Sequence, residues 1–254
     1  MRRYFLALAY HGAPYHGWQR QPRATSVQQV LEEALTTLLR HPCPVVGAGR
    51  TDAGVHATRQ FAHFDTPAPL PATFLRRLNG LLPPEVAACT LYQTTDPELH
   101  ARFSATSRAY TYYLARAKDP FAWGRAWQLS QALDLDAIAE ATTLLLEGSD
   151  FASFCKVGSD EKTTLCHLYD AHWACAERSW EFHIRADRFL RGMVRAIVGT
   201  LVLIGRRKLP PGAMSEILAG QNRALAGPAA PAKGLFLTDV SYPTGALIEV
   251  AQIL

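Results

Sequence analysis

Alternation of apolar and polar positions predicts a chain of mixed strands and helices. Arg3–Tyr10 is apolar on both faces, with Tyr4, Leu6 and Leu8 on one side and Phe5, Ala7 and Ala9 on the other. That is the pattern of a strand covered on both sides. A helix is expected from Ser26, which has capping-box spacing to Gln29 and precedes apolar residues at Val27, Val30, Leu31, Ala34, Leu35, Leu38 and Leu39. Pro42 and Pro44 end it. Further strands are expected at Gln60–Phe64, Val86–Tyr92, Ser107–Arg116, Leu165–Ala174, Trp180–Ala186 and Leu235–Tyr242, and further helices at Phe74–Leu78, Leu135–Leu146, Asp187–Ile204 and Met214–Leu218. Regular βαβ spacing is missing, and several strand pairs read as antiparallel. The expected class is α+β, with two sheet-and-helix domains of mostly antiparallel mixed sheets over residues 1–103 and 104–254.

Composition narrows the class. Hydrophobic residues make up 48% and charged residues 19%, which removes disordered and low-complexity chains. The longest uncharged apolar run, Ala196–Gly205, falls far short of the ~20 residues that cross a bilayer. Tyr4–Tyr10 behind Arg2-Arg3 runs straight into His11-Gly12-Ala13-Pro14, not into a small-residue cleavage site, so no leader is expected. The 5 cysteines form no C-x-x-C pair, which favours a reducing cytoplasm over a disulfide framework. Cys155, Cys166, His167, His172 and Cys175 are metal-ligand types at no standard zinc spacing; they read as buried thiols and strand histidines, and no metal is expected. A net charge of +4 is too small to define a partner by itself. An anionic partner would need local clusters such as Arg20 with Arg23, Arg76-Arg77, or Arg185, Arg188, Arg191 and Arg195.

Three segments could carry chemistry. The first is Gly47-Ala48-Gly49-Arg50-Thr51-Asp52-Ala53-Gly54-Val55-His56, fed by one strand and leaving as another. A dinucleotide fingerprint fails because its third glycine would fall on Asp52, and no Gly-Lys-Ser/Thr closes a P-loop. An Asp-Ala-Gly turn accounts for the glycines, but not for Arg50, Thr51 and His56 gathered around one carboxylate. The second is the expected helix Asp187–Ile204, with Leu190, Val194, Ile197 and Leu201 on one face. Arg188, Arg191, Gly192, Arg195, Gly199 and Arg206 fall on the other. Each interior glycine costs ~1 kcal/mol relative to alanine, which points either to close approach by a backbone or ligand or to a tolerated, exposed basic face. The third runs from His100-Ala101-Arg102-Phe103-Ser104-Ala105 into Arg108-Ala109-Tyr110-Thr111-Tyr112-Tyr113. Tyrosines on a strand face beside arginines suit a stacked nucleobase as well as ordinary half-buried packing.

Together these segments resemble the bacterial tRNA pseudouridine synthase A family. The matching residues are Tyr15-His16-Gly17-Trp18-Gln19, Gly49-Arg50-Thr51-Asp52-Ala53-Gly54-Val55-His56-Ala57, His100–Ala105, the Phe189–Gly199 stretch, and Ala230-Pro231 leading to Gly234-Leu235-x-Leu237. One departure is His11, where the family usually carries Asp after the tyrosine. The resemblance implies conversion of uridine to pseudouridine at positions 38, 39 and 40 of the tRNA anticodon stem-loop, in a central RNA-binding cleft and without a cofactor. It implies Asp52 as the essential carboxylate, attacking C1′ or removing the C2′ proton, and Arg195 as the arginine that holds it ionised. Tyr110 would stack on the uracil, while Arg50, His56 and Arg102 would bind substrate. A homodimer in the cytoplasm is implied, with no DNA or membrane partner. Two other readings are a non-catalytic RNA-binding module and a carboxylate glycosidase. The latter usually needs a second carboxyl group, which the loop lacks before Asp65.

Overall fold

The computed structural model describes residues 1–159 and 161–252. In chain order the elements are β1 (Arg2–Tyr10), α1 (Val27–Leu39), β2 (Val46–Gly47), β3 (His56–Thr66), α2 (Phe74–Asn79), β4 (Val86–Gln93), β5 (Ser107–Ala115) and β6 (Trp127–Gln128). They continue with α3 (Leu135–Leu146), β7 (Leu168–Cys175), β8 (Ser179–Ala186), α4 (Met193–Gly205), α5 (Ala213–Gly220), β9 (Leu235–Ser241) and β10 (Ile248–Gln252). The class is α+β with mixed, mostly antiparallel pairing. Two compact units divide the chain: Met1–Thr106 with Phe236–Leu254, and Ser107–Leu235. The C-terminal segment thus returns to the first unit instead of completing the second.

In the first unit β1 is the central strand, antiparallel to β3 on one side and β4 on the other. Phe5, Leu6 and Leu8 are fully buried, as a strand apolar on both faces requires. β10 adds antiparallel to β4, β2 antiparallel to β3, and β9 parallel to β3. β10, an edge strand with Ile248 and Val250 exposed, was not among the expected strands. The register of β1 against β3 shifts between Leu8 and Tyr10, where β3 bulges and the consecutive residues Thr58 and Arg59 are both exposed. α1 starts as its spacing predicts, with Ser26 Oγ accepting the N–H of Gln29. Only half the capping box forms, because the Gln29 side chain donates to Glu33 instead. α2 is tied to β4 through Asn79, which accepts the N–H of Ala88 and donates to its carbonyl.

The second unit pairs β5 with β8 and β8 with β7, all antiparallel, and sets β6 parallel beside β5. Here the helix expected from Asp187 begins only at Met193. Gly192 stands at its N-terminus with φ 72°, in the left-handed region that favours glycine and that a continuing helix cannot use. Asp187 Oδ1 accepts the N–H groups of His167 and Arg188, fixing an irregular turn where helix was expected. Consequently Arg188 and Arg191 do not share a helical face with Arg195. α4 is also not amphipathic: Met193, Val194, Ala196–Val202, Ile204 and Gly205 are all buried, the signature of a core helix. Arg195 is its only charged residue.

One titratable group in the first unit is held by geometry in its neutral form. His63, on β3, is buried, and its Nδ1 accepts the N–H of Ala101. Burial, with Arg3 nearby, pushes its pKa from 6.5 down to about 4. The unfolded chain therefore holds more protons than the folded one between those values, so this contribution to stability is complete above pH 6.5 and is lost as pH falls toward 4. Urea unfolding is expected to show a loss of about 2 kcal/mol between pH 7 and pH 5 from this group. His63→Gln, which keeps an acceptor but does not titrate, should flatten that slope; an unchanged slope would place the acid sensitivity elsewhere.

Candidate active site

The Asp52 loop is built on a backbone contact. His11–Trp18, the segment leaving β1, lies directly against residues 51–55. A Cβ on Gly12 would stand 2.0 Å from the carbonyl oxygen of Val55, so only glycine fits. The two segments are also stitched together: Trp18 N–H donates to the Thr51 carbonyl at 3.2 Å, and Gly54 N–H to the Tyr15 carbonyl at 3.3 Å. Val55 N–H closes the turn onto the Asp52 carbonyl at 3.1 Å. Thr51 is buried, its hydroxyl 2.9 Å from the Tyr10 hydroxyl. The Thr51 hydroxyl is thus engaged by β1. Asp52 itself is half-buried at the tip, and Arg50 is exposed.

His56 proves to be a fastening. It is fully buried, and its Nδ1 accepts the Gly12 N–H at 3.0 Å, so its ring proton lies on Nε2. The ring lies between His11 and Phe236, each with its centroid 4.5 Å away. His11 therefore packs on an imidazole that anchors the loop. Three of these partners, Tyr10, Gly12 and Phe236, are remote from the loop in sequence, and no local signal marks them.

Tyr110 and Arg195 belong to the second unit. Tyr110 is half-buried on β5, edge-on to Phe189 at 5.2 Å. Two residues on, Tyr112 is fully buried, and its hydroxyl donates to the Pro231 carbonyl at 2.8 Å. Burial drives the Tyr112 phenol well above its ordinary pKa, so it is a fixed donor. Arg195 is half-buried in α4, with its Nε donating to the Ala230 carbonyl at 2.7 Å and its own carbonyl accepting the Ala230 N–H at 2.9 Å. The 227–231 segment is strapped along α4: Gly227 N–H reaches Thr200 Oγ1, and a Cβ on Gly199 would stand 1.8 Å from the Pro228 carbonyl oxygen. The close approach suggested by Gly199 is thus made by protein backbone. The strand tyrosines, the helix arginine and the Ala230-Pro231 segment, separate in sequence, are one packed assembly in this unit. Arg102 is exposed in the first unit, its guanidinium 5.7 Å from the Phe103 ring centroid. No group of three or more His, Cys, Asp or Glu able to hold a metal occurs among the described residues.

Comparison with known proteins yields consistent matches. A family profile described as tRNA pseudouridine synthase matches residues 143–243. The chain is 48% identical over 245 residues to the tRNA pseudouridine synthase A of Parabacteroides distasonis, covering 96% of this chain and 97% of that protein. It is 48% identical over 247 residues to the protein of that name from Bacteroides thetaiotaomicron, covering 96% and 91%. Against the one from Porphyromonas gingivalis it is 47% identical over 249 residues, covering 96% and 98%.

The backbone contact under the Asp52 loop can be tested without an activity assay. Gly12→Ala must displace either the 51–55 segment or the end of β1, and overpacking of this kind costs about 1–3 kcal/mol. Urea unfolding should show the midpoint falling with the slope unchanged; a variant as stable as the parent would mean the loop is not seated on Gly12.

Proposed function

The chain belongs to the tRNA pseudouridine synthase A family, and from that premise we propose that it isomerises uridine to pseudouridine in tRNA with Asp52 as the reacting carboxylate. The reaction breaks the N1–C1′ bond and joins C5 to C1′. The C5 proton leaves to solvent while N1 gains one, so nothing is added overall and no cofactor is called for. The observation that carries the assignment of Asp52 is its mounting. It is a half-buried carboxylate on a loop fixed by backbone contacts to the 12–18 segment and by the Tyr10–Thr51 hydrogen bond. Such fixity suits either attack on C1′ or removal of the C2′ proton, since both need a carboxylate aimed before the substrate arrives.

The other roles follow the chemistry of each group. Arg195 supplies the positive charge that pairs with a reacting carboxylate, its Nε being bonded to the Ala230 carbonyl so that the guanidinium has a defined orientation. Tyr110, half-buried on β5, stacks on the uracil once it has left its helix. Arg50 and Arg102, both exposed, contact phosphates and position the RNA without reading its sequence. His56 acts through Gly12 and is a positioning residue. The target is proposed to be positions 38, 39 and 40 of the anticodon stem-loop, bound in a cleft of a cytoplasmic homodimer, as expected from the resemblance.

Two variants test these roles. Asp52→Asn should lower release of tritium from tRNA carrying 5-³H-uridine by about 10³-fold or more. Its tRNA affinity should stay within about threefold, because phosphate contacts carry the affinity. Normal release would reject the carboxylate. Arg195→Met should lower kcat by about 10²-fold with a smaller effect on Kd. If single-turnover conversion of bound tRNA is instead unchanged and only Kd rises, Arg195 is a phosphate contact.

A further inference from the structure

The turn between β4 and β5, His100–Ser104, is fixed more firmly than a connection requires. Ala101 is fully buried, its N–H donating to His63 Nδ1 at 3.0 Å and its carbonyl accepting the Tyr242 hydroxyl at 2.7 Å. His100 Nδ1 accepts both the Arg102 and the Phe103 N–H, at 3.1 and 3.3 Å. The Ser104 N–H donates to the His100 carbonyl, and Ser104 Oγ accepts the His100 N–H. Every amide N–H from His100 to Ser104 therefore has an acceptor inside the protein.

This anchored turn displays a phenyl ring to solvent. Phe103 is 77% exposed, stacked on the His100 ring at 4.5 Å and 29°, with the Arg102 guanidinium 5.7 Å from its centroid. Of the neighbouring carboxylates, Asp65 is held in a two-point ion pair with Arg3, which also faces Asp96 and Glu98. What the turn offers outward is an aromatic face with a cation beside it. Holding an exposed Phe in one orientation gains the folded chain nothing by burial. A flat π-face beside a guanidinium matches a nucleobase attached to a phosphate.

We propose that Phe103, with Arg102, is a stacking platform for a nucleotide of the tRNA other than the one that reacts. His63, which holds the turn, lies seven residues along β3 from His56, which holds the Asp52 loop. At the rise of a strand those two anchors stand about 20 Å apart, so the platform and the loop are held at separate points along β3. A contact so separated engages RNA beyond the reacting uridine. Phe103 is a positioning residue: it adds affinity for the macromolecule and leaves the chemical step alone.

The inference rests on the tRNA reading above, and the experiment separates the two. Tritium release from full-length tRNA is measured for the wild type and for Phe103→Ala, Phe103→Leu and Phe103→Trp, with thermal melting and sedimentation of each. No release by the wild type would sink the parent reading itself. With an active wild type, Ala and Leu should raise KM about fivefold or more, the range for one lost stack. In both, kcat should stay within about twofold, and Trp should restore KM. A wild-type KM in the Ala variant overturns the platform. So does a wild-type KM in the Leu variant, which would mean apolar bulk suffices, or a fall in kcat at constant KM. Melting temperatures should be unchanged, the ring being exposed; if Ala melts early and Trp fails to restore KM, Phe103 is structural and the proposal fails. A change in sedimentation instead of KM assigns the ring to a contact between copies of the chain and likewise overturns it.

Discussion

A buried imidazole that accepts a backbone N–H is the interaction on which both motif loops of the first unit depend. His56 and His63 sit on the same strand, and each uses Nδ1 to hold a loop amide, Gly12 in one case and Ala101 in the other. A loop that must stay irregular has amides that no ladder satisfies, and leaving one buried and unpaired costs about 1–3 kcal/mol. A neutral imidazole resolves this from within the sheet: it fills space as an aromatic ring and still presents a lone pair. Because the same atom cannot accept once protonated, the arrangement favours the uncharged ring. For His63 the low pKa produced by burial is the thermodynamic expression of that geometry.

Such anchoring sets what the loops can do. Asp52 is carried by a segment whose neighbours on both sides are tied to β1 or to the chain that follows it. An isomerase that neither adds nor removes a group has little to work with except placement and charge. With Asp52 proposed as the reacting carboxylate, the rigidity of the mounting then matters more than the number of groups around it. The second unit solves the same problem by different means. Arg195 lies in a helix buried almost all round, and its Nε is bonded to a strap that is itself fitted against a glycine of that helix. Tyr112 bonds the next residue of the strap, Pro231, so the strand bearing Tyr110 and the helix bearing Arg195 are braced by a single segment.

Much of the fold was legible in the sequence, because burial on both faces writes itself as uninterrupted apolar residues in β1, and burial on one face writes itself as the alternation of β8, where Trp180, Phe182, Ile184 and Ala186 are buried between Glu181, His183 and Arg185. The start of α1 was legible because a cap is a local bond between residues three apart. The start of α4 was not. Apolar periodicity runs on through Leu190, and only the left-handed conformation of Gly192 and the carboxylate of Asp187 stop the helix short. The excess of arginines on an imagined helical face was the consequence. β10 escaped for the opposite reason: an edge strand with an exposed apolar row lacks the contrast on which the pattern depends.

The carboxylate loop was recognisable as a motif, yet the motif does not distinguish the residues that face a substrate from those that hold the loop. His56 illustrates why. Its partners are a glycine amide 44 positions away and rings contributed by His11 and Phe236, the last from the far end of the chain. Residue type and spacing are the same for an imidazole that binds RNA and for one that accepts a buried N–H; only the fold decides which lone pair is already taken. The same reasoning applies in reverse at Phe103. Nothing in the residue types of that segment tells an exposed phenylalanine from a buried one, and only the folded turn shows the ring turned to solvent over a backbone whose amides are all satisfied. Where a family motif mixes fastenings with contacts, backbone hydrogen bonds separate them. Side chains spent on amides build the loop, and those left facing solvent on a fixed backbone are the ones with a partner to meet.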